Sequence, residues 1–274
     1  MTRDLFLRLD WTTISGITAM HLLCILAPFF FSWSGFFIAI VLWWFVGCWG
    51  VCIGYHRLLT HRSFNSPKWF EYFLAILGVL NWQGGPIRWV GVHRIHHAHS
   101  DEEGDPHTPQ HGFTWAHMFW LFLKNRVDAL SVTKDLQRDP VLVFIDRWAS
   151  LPQIILAILL FGLGWLFLGS WNGGMSWFIW GVCVRTVFVF HSTWFVNSAS
   201  HTWGYQNFDT GDNSKNNWWV ALLAFGEGWH NNHHAQQRSA AHGMRWWEID
   251  FSYLSIRFFE LIGLAKNVVR PKLD

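Results

Sequence analysis

The stretch "SGFFIAIVLWWFVGCWGVCIGY", from Ser34 to Tyr55, contains no charged side chain. A helix that crosses a bilayer needs about 20 mostly apolar residues, so this stretch is predicted to span a membrane. It leads directly into "HRLLTH", with histidines at positions 56 and 61. The sequence therefore puts a residue type that commonly binds metals at the end of a membrane-spanning helix.

The composition of the whole chain supports a membrane setting. The chain has 274 residues, of which 51% are hydrophobic and 14% are charged. A soluble domain usually has about 25% charged residues. The net charge of +2 gives no strong positive field, so no nucleic-acid partner is expected. The four cysteines lie scattered in apolar runs and are expected to be small buried residues.

Three other stretches are long and apolar enough to cross a membrane. The predicted spans are 11–31, 34–55, 151–171 and 176–197. Short connections pair them into two hairpins. The runs 69–80, 218–225 and 251–264 are too short to cross, and the first is predicted to be a re-entrant or interfacial helix. The prediction is an all-α integral membrane protein with one domain, 1–274, and a helical cap made of 56–147 and 201–274.

The distribution of basic residues predicts the orientation. Of the 20 Lys and Arg residues, two precede the first span, ten lie between Arg57 and Arg147, seven follow residue 200, and Arg185 lies inside the fourth span. The two hairpin loops contain none. Since basic residues accumulate on the cytoplasmic side, both termini and the whole cap are predicted to be cytoplasmic.

Nine histidines lie at or beyond the predicted cytoplasmic ends of the spans, so they can meet in one place. They are His56, His61, His93, His96, His97, His201, His230, His233 and His234. Two of the clusters share the pattern H-x-x-H-H. With many imidazoles and no cysteine nearby, the pattern indicates two redox-active metal ions in the cap.

Helical spacing suggests how these histidines divide between two metals. Residues three apart share a helix face, whereas neighbours diverge by about 100°. One metal is therefore predicted to take His93, His96, His230 and His233, with His201, and the other to take His97, His234, His56 and His61. Histidines five apart lie about 140° apart on a regular helix, so 56 and 61 are expected at a helix end. Asn197 could hold a water molecule on the second metal.

Four motifs, in this order, resemble those of membrane-bound fatty acyl desaturases. They are "GYHRLLTHRSF" (54–64), "HRIHHAHSDEEGDPH" (93–107), "TWFVNSASH" (193–201) and "GEGWHNNHHA" (226–235). The similarity is to the delta-9 acyl-CoA and acyl-lipid group, and "NWQGGPIRWVG" (81–91) is closest to bacterial or cyanobacterial members.

The resemblance implies the reaction and its components. Members have four spans, a cytosolic cap and a di-iron centre, and they use O2 and two electrons to insert a cis double bond into a saturated acyl chain. It implies that the nine histidines bind two Fe and that Asn197 holds a metal-bound water. The acyl carrier would be CoA or a glycerolipid, and the electrons would come from a separate donor such as ferredoxin or cytochrome b5. A bacterial inner membrane or a cyanobacterial membrane is the expected location.

Candidate substrate contacts lie on the second and fourth spans. Trp44, Cys48 and Trp194 are expected to line an acyl tunnel between the spans. Arg185 is expected either to line the same tunnel or to pair with buried polar groups. Lys124 retains one basic position suited to contact with the acyl carrier.

Several polar residues lie close in sequence to the nine histidines without being predicted as ligands. The acidic residues Asp101, Glu102, Glu103 and Asp105 are expected to form a solvated loop, with the orientation of ligand histidines as the alternative. Five other histidines are expected at the surface or behind the ligands: His99, His107, His111, His117 and His242. Among these five, His107 is the strongest candidate for supporting a ligand.

Two other functions remain as alternatives to desaturation. A related di-iron hydroxylase or ketolase is an alternative enzyme, and a histidine-based metal transporter is a non-enzymatic alternative.

Overall fold

A computed structural model describes residues 8–124 and 127–272, and within these residues the regular structure is helical, without β-strands. In chain order the helices are α1 Trp11–Cys24, α2 Trp33–Thr60, α3 Lys68–Val79, α4 Pro86–Ala98, α5 Phe113–His117, α6 Pro140–Arg147, α7 Ser150–Leu168, α8 Trp171–His201, α9 Trp218–Leu223, α10 His230–Ala235 and α11 Phe251–Leu261. Short 3₁₀ turns lie at Pro109–His111, Phe119–Phe122 and Leu136–Arg138.

Three helices in the described part of the chain are long and apolar enough to cross a membrane. They are α2, α7 and α8. Each coincides with one predicted span, although α2 continues past Tyr55 to Thr60 and α8 extends beyond 176–197 at both ends. The three spans carry many exposed aromatic and aliphatic side chains, such as Phe167 and Leu166 on α7. Such surfaces suit contact with lipid.

The first predicted span, 11–31, is a regular α-helix only from Trp11 to Cys24. The Pro28 ring lacks an N–H and would clash with the carbonyl of Cys24, four residues before it, so the α-helix ends there. The chain continues in tight turns, in which Ile25 N donates to Leu22 O (3.1 Å) and Ala27 N donates to Cys24 O (3.0 Å). By helix length alone, α1 is not a membrane span.

The segment from Asp10 to Ala27 nevertheless connects opposite ends of the molecule. At one end Asp10 N donates to Phe122 O (2.8 Å), in the cap. At the other end Trp180 Nε1 donates to Ala27 O (3.2 Å). There, the turn before α2 packs against the start of α8, because Ser32 Oγ and Ser176 Oγ lie 2.7 Å apart.

Helix α2 changes its winding as it approaches the cap. It is α-helical from Trp33 to Trp43 and π-helical from Trp44 to Thr60. In a π-helix the backbone bonds run from i to i+5, which corresponds to about 4.4 residues per turn. Gly50 permits close packing against α3, because a Cβ there would lie 2.6 Å from Gly78 N. The wider winding decides which α2 side chains face the metal centre.

Candidate metal centre

The nine predicted histidines gather in two adjacent groups of potential ligands. The four-histidine group consists of His96, His201, His230 and His234, and the five-histidine group consists of His56, His61, His93, His97 and His233. Within each group, one ring nitrogen per residue lies within 4.8 Å of the others. The ring centroids of His97 and His234, one from each group, are 4.5 Å apart. The arrangement is therefore suited to two neighbouring metal ions.

The predicted division of the histidines between the metals is wrong. On α4, His93 and His97 belong to one group and His96 to the other, and α10 shows the reciprocal arrangement. Residues four apart on an α-helix differ by about 40° and residues three apart by about 60° in the opposite sense, so both spacings can share a face. In the structure, the two histidines of each helix that belong to the same group are four residues apart. On α4, the Nε2 atoms of His93 and His97 lie 3.0 Å apart.

His56 and His61 lie at the end of α2, as predicted, but they share a face of the helix. Both belong to the five-histidine group, with ring centroids 4.7 Å apart. His61 N donates to His56 O (3.1 Å), which is the i to i+5 bond of a π-helix. The two rings therefore share a helix face, whereas an α-helix would have turned them apart.

The nitrogen atoms of both groups fit metal coordination. The Nε2 atoms of His61, His96 and His234 are buried and have no hydrogen-bond partner. Nε2 atoms also converge in pairs, with 3.1 Å between His56 and His233 and 3.0 Å between His201 and His230. For metal–nitrogen bonds of about 2.1 Å, ligands at right angles have nitrogens about 3.0 Å apart and tetrahedral ligands about 3.4 Å apart. The observed spacings are close to those that the nitrogens of a shared metal would have.

Buried carboxylates fix the orientation of four of these rings. The Nδ1 atoms of His56, His96, His201 and His234 lie 2.7, 3.0, 3.0 and 2.5 Å from carboxylate oxygens of Glu227, Asp105, Asp101 and Asp212, respectively. An ionised carboxylate can only accept a hydrogen bond, so each Nδ1 carries the proton and each Nε2 lone pair points into the cluster. This is the usual outer shell of a metal-bound histidine.

The positions of Asp101 and Asp105 contradict the predicted solvated loop. Both side chains are buried, whereas Glu102 and Glu103, between them, are exposed. His107 is buried beside Asp105, and its ring centroid lies 4.3 Å from that of His96, so it lies directly behind a candidate ligand. His99 and His111 are exposed, as expected, whereas His117 is half-buried.

Sequence reasoning missed a buried ionic network behind His56. Arg57 is fully buried, and its guanidinium lies 3.0 Å from both Glu227 and Asp250. The ring of His242, also fully buried, lies 3.1 Å from Glu227 and stacks on His233 with centroids 4.3 Å apart. Arg57 directly follows a ligand candidate in the sequence, which was the available signal. Asp212 carried no such signal, because only folding brings it to His234.

Burial favours the neutral form of six candidate ligand imidazoles. Desolvation lowers the pKa of His61, His93, His97, His230 and His233 well below the ordinary value of 6.5, and neighbouring imidazoles lower it further. Desolvation also lowers the pKa of His234 to about 4, although Asp212 opposes the shift. Neutral imidazole is the form that binds metals.

An apolar cavity adjoins both histidine groups. Along α2 it is lined by Trp43, Gly47, Val51, Cys52 and His56, and its other walls include His93, His230, Asn197 and Phe225. Trp43, Gly47, Cys52 and His56 follow the π-helical repeat of about 4.4 residues.

The α2 residues predicted to line a tunnel do not line this cavity. Trp44 packs against Phe225 and Phe251, with ring centroids 5.3 and 5.9 Å apart. Cys48 is fully buried, with its sulfur 3.6 Å from Ser252 Oγ. The π-helical winding turns both side chains toward α11, and residues 43 and 47 take the positions expected for 44 and 48.

The other predicted substrate contacts also lie elsewhere. Trp194 is buried and stacks on Phe190, with centroids 4.9 Å apart. Arg185 is buried and donates to Leu80 O (2.5 Å), Gly181 O (3.1 Å) and Gln153 Oε1 (3.3 Å), so of its two predicted roles the structure shows internal pairing. Lys124 is exposed and lies outside the cavity lining.

Fold and site together define a class of protein. Long apolar helices carry a buried, histidine-rich site that could bind two metals, and an apolar cavity opens onto it. A single metal would not require two such groups. The molecule is therefore a membrane protein with a candidate metal site adjacent to an apolar cavity.

Comparison with known proteins identifies the family. A family model described as fatty acid desaturase matches residues 31–253, and the chain belongs to that family. It is 47% identical over 265 residues to an sn-1 stearoyl-lipid 9-desaturase of Anabaena variabilis, covering 95% of this chain and 94% of the relative. It is 46% identical over 268 residues to an sn-2 palmitoyl-lipid 9-desaturase of Nostoc sp., covering 96% and 91%.

A third relative is named for acyl-CoA rather than for an acyl lipid. The chain is 42% identical over 259 residues to an acyl-CoA 5-desaturase of Anemone leveillei, covering 93% of this chain and 78% of the relative. The predicted family is thus confirmed, and the protein is an enzyme that desaturates fatty acyl chains.

Proposed function

We propose that the protein is a di-iron, O2-dependent delta-9 desaturase that acts on saturated acyl chains esterified to glycerolipids. The observation that supports this most directly is the position of the apolar cavity, whose walls include His56 and His93 of one histidine group and His230 of the other. An acyl chain in that cavity would lie beside both groups. Iron bound there would supply the redox chemistry that couples reduction of O2 to removal of two hydrogens from adjacent methylenes.

The chain's own residues would position the substrate and exclude water. The cavity walls are mostly apolar side chains such as Trp43, Val51 and Phe225, so an extended hydrocarbon fits it better than a polar ligand. Asn197 lies in the wall close to the ligand histidines and is proposed to hold a water molecule. The carboxylates behind the histidines would hold the rings at the angles that the metals require.

The proposal that the acyl carrier is a glycerolipid is based on the names of the relatives. Two of the three relatives above are named for acyl groups on lipids, and their identities of 47% and 46% exceed the 42% of the acyl-CoA enzyme. Lys124, the basic position expected to contact a carrier, is exposed at the end of the described segment 8–124. A membrane lipid would reach the cavity from between α2 and α8, which form its walls.

We also propose four membrane crossings with both termini and the cap in the cytoplasm, as one domain. The segment 10–27 supports the fourth crossing, because its ends contact the cap and the far end of α8. The α-helix of 14 residues rises about 21 Å, and the three residues from Ile25 to Ala27 add about 6 Å. The sum is close to the hydrocarbon thickness of about 30 Å.

Expression in a host without desaturases tests the proposed function. We expect monounsaturated fatty acids with the double bond at carbon 9, found mainly in glycerolipids. Supplying labelled stearoyl-CoA and labelled stearoyl-glycerolipid to isolated membranes would identify the carrier. Products that gain oxygen instead of losing two hydrogens would contradict desaturation and favour the hydroxylase or ketolase alternative.

A further inference from the structure

A second, open cleft of about 1000 Å³ lies on the cap, beyond the end of α2. Its walls are Thr60, His61, Arg62, Arg94, His97, Ala98, Gln237 and Arg238. Two of these, His61 and His97, belong to the five-histidine group. The cleft therefore exposes the edge of the metal centre on a face that the apolar cavity does not use.

The charge of this cleft is positive. Its walls contain three arginines and, among the described residues, no carboxylate. Asp135 pairs with two of them, because it lies 2.5 Å from Arg62 and 2.7 Å from Arg94. Arg238 is exposed. Three guanidinium groups and one carboxylate leave the rim with a positive charge at any physiological pH, because arginine does not deprotonate.

The cleft is unsuited to the acyl substrate but suited to electron entry. Seven of its eight wall residues have polar or charged side chains, whereas the acyl chain fits the apolar cavity. His97 is half-buried and His61 is 8% exposed, so a partner in the cleft would touch rings that belong to the metal centre. A redox partner gains most by docking where the distance to the metal is shortest.

We propose that this basic cleft is the docking surface for an acidic one-electron carrier protein. The inference rests on the proposed function, because desaturation requires two electrons for each double bond. A carrier delivers one electron at a time and must dock twice per turnover, so its surface has to bind weakly and release quickly. A ring of exposed opposite charges gives this behaviour, because it speeds association more than it strengthens the complex.

The test is a direct binding measurement on the full chain in nanodiscs of zwitterionic lipid. The probe is an acidic plant-type ferredoxin, and the readout is its Kd for metal-free and iron-loaded protein at several salt concentrations. We expect binding in both states, with affinity that falls as salt rises. Arg238→Glu should weaken binding about three- to tenfold, and Gln237→Lys, which adds a charge to the same wall, should strengthen it.

A matched control is available on the same helix as Arg94. Arg88 is exposed and does not line the cleft, so Arg88→Glu changes the net charge equally and should leave the Kd unchanged. The basic protein cytochrome c should not bind. Equal weakening by Arg88→Glu and Arg238→Glu, or equal binding of cytochrome c, would overturn the proposal, since either result would indicate a non-specific effect.

Other outcomes assign the cleft differently and also overturn the proposal. If ferredoxin does not bind while phosphatidylglycerol vesicles do so through Arg238, the cleft contacts lipid headgroups. The proposed desaturation is tested separately, by fatty-acid products in cells. Products without ferredoxin binding would reject this surface alone, and binding without products would reject the reaction alone.

Discussion

At the level of single residues, the two histidine groups differ in their tolerance to loss of a ligand. His96 belongs to the group of four and His97 to the group of five. Removing His96 leaves three imidazoles, whereas removing His97 leaves four. Because these two residues are neighbours on α4, their replacement affects almost the same part of the fold.

We expect His96→Ala to lose more metal than His97→Ala, although both variants should lose most of their activity. His96→Ala should retain about one iron per chain, because the second group stays complete, whereas His97→Ala should retain close to two at saturating iron. Metal analysis after purification in detergent measures the difference. His99→Ala, on an exposed neighbour, is the control and should retain two. Equal iron loss in the first two variants would contradict the division into four and five.

The sequence predicts which histidines meet but not how they divide. The H-x-x-H-H pattern offers spacings of three and of four, and both bring rings within reach of one metal. The choice depends on how α4 and α10 cross, which is a tertiary property. The same limit applies to Asp212, whose contact with His234 is formed by a loop distant in sequence. The acidic residues at 101 and 105 gave a misleading signal, because polar loops are usually solvated.

At the level of helices, the winding of α2 decides which side chains reach the substrate cavity. The apolar stretch predicts a span correctly, but a helix with 3.6 residues per turn and one with about 4.4 present different faces after two turns. Nothing in the apolar pattern distinguishes the two windings. Close packing of Gly50 and Gly54 against α3, with Cβ positions 2.6 and 3.0 Å from its atoms, is a tertiary contact that the sequence does not display.

Trp43 and Trp44 therefore provide a matched pair for testing the π-helical register. Trp43 lines the cavity, and Trp44 packs against Phe225 and Phe251. We expect Trp43→Ala to enlarge the cavity and shift the products toward longer acyl chains. Trp44→Ala should leave the chain-length profile unchanged but destabilise the protein by about 2 kcal/mol, because the side chain is half-buried.

The measurement is the product distribution from mixed 14-, 16- and 18-carbon acyl substrates, together with the thermal midpoint in detergent. A shifted profile in Trp44→Ala and none in Trp43→Ala would show that α2 is wound as an ordinary α-helix near the substrate. A shift in both variants would mean that the two tryptophans act through packing rather than through the cavity wall.

At the level of the whole molecule, the metal centre separates two environments. The apolar cavity approaches it between α2 and α8, and the basic cleft approaches it on the cap. The histidine groups thus lie between a hydrophobic substrate and a charged surface. This separation requires that all nine histidines lie at one end of the spans, and the charge distribution of the sequence predicted that arrangement before any contact was known.

The number of crossings determines on which side the N-terminus lies. If only α2, α7 and α8 cross the membrane, the N-terminus lies on the side opposite to the cap, because the single crossing of α2 separates the N-terminus from the cap. If the segment 10–27 also crosses, the N-terminus lies on the cap side. The hydrogen bond from Asp10 N to Phe122 O (2.8 Å) favours this second arrangement, since it joins residues on either side of α2 in the sequence.

Protease protection of a short tag in bacterial spheroplasts distinguishes the two arrangements. With four crossings, a tag at the N-terminus should be protected until the cells are lysed, because it is cytoplasmic. A tag inserted between Gly169 and Ser170, in the exposed turn joining α7 to α8, should be digested in intact spheroplasts and shows that the protease has access. A tag in the exposed cap segment 130–132 should be protected with the N-terminus. Digestion of the N-terminal tag alongside the 169–170 tag would mean three crossings, and the contact of Asp10 with Phe122 would then have to form differently in the membrane.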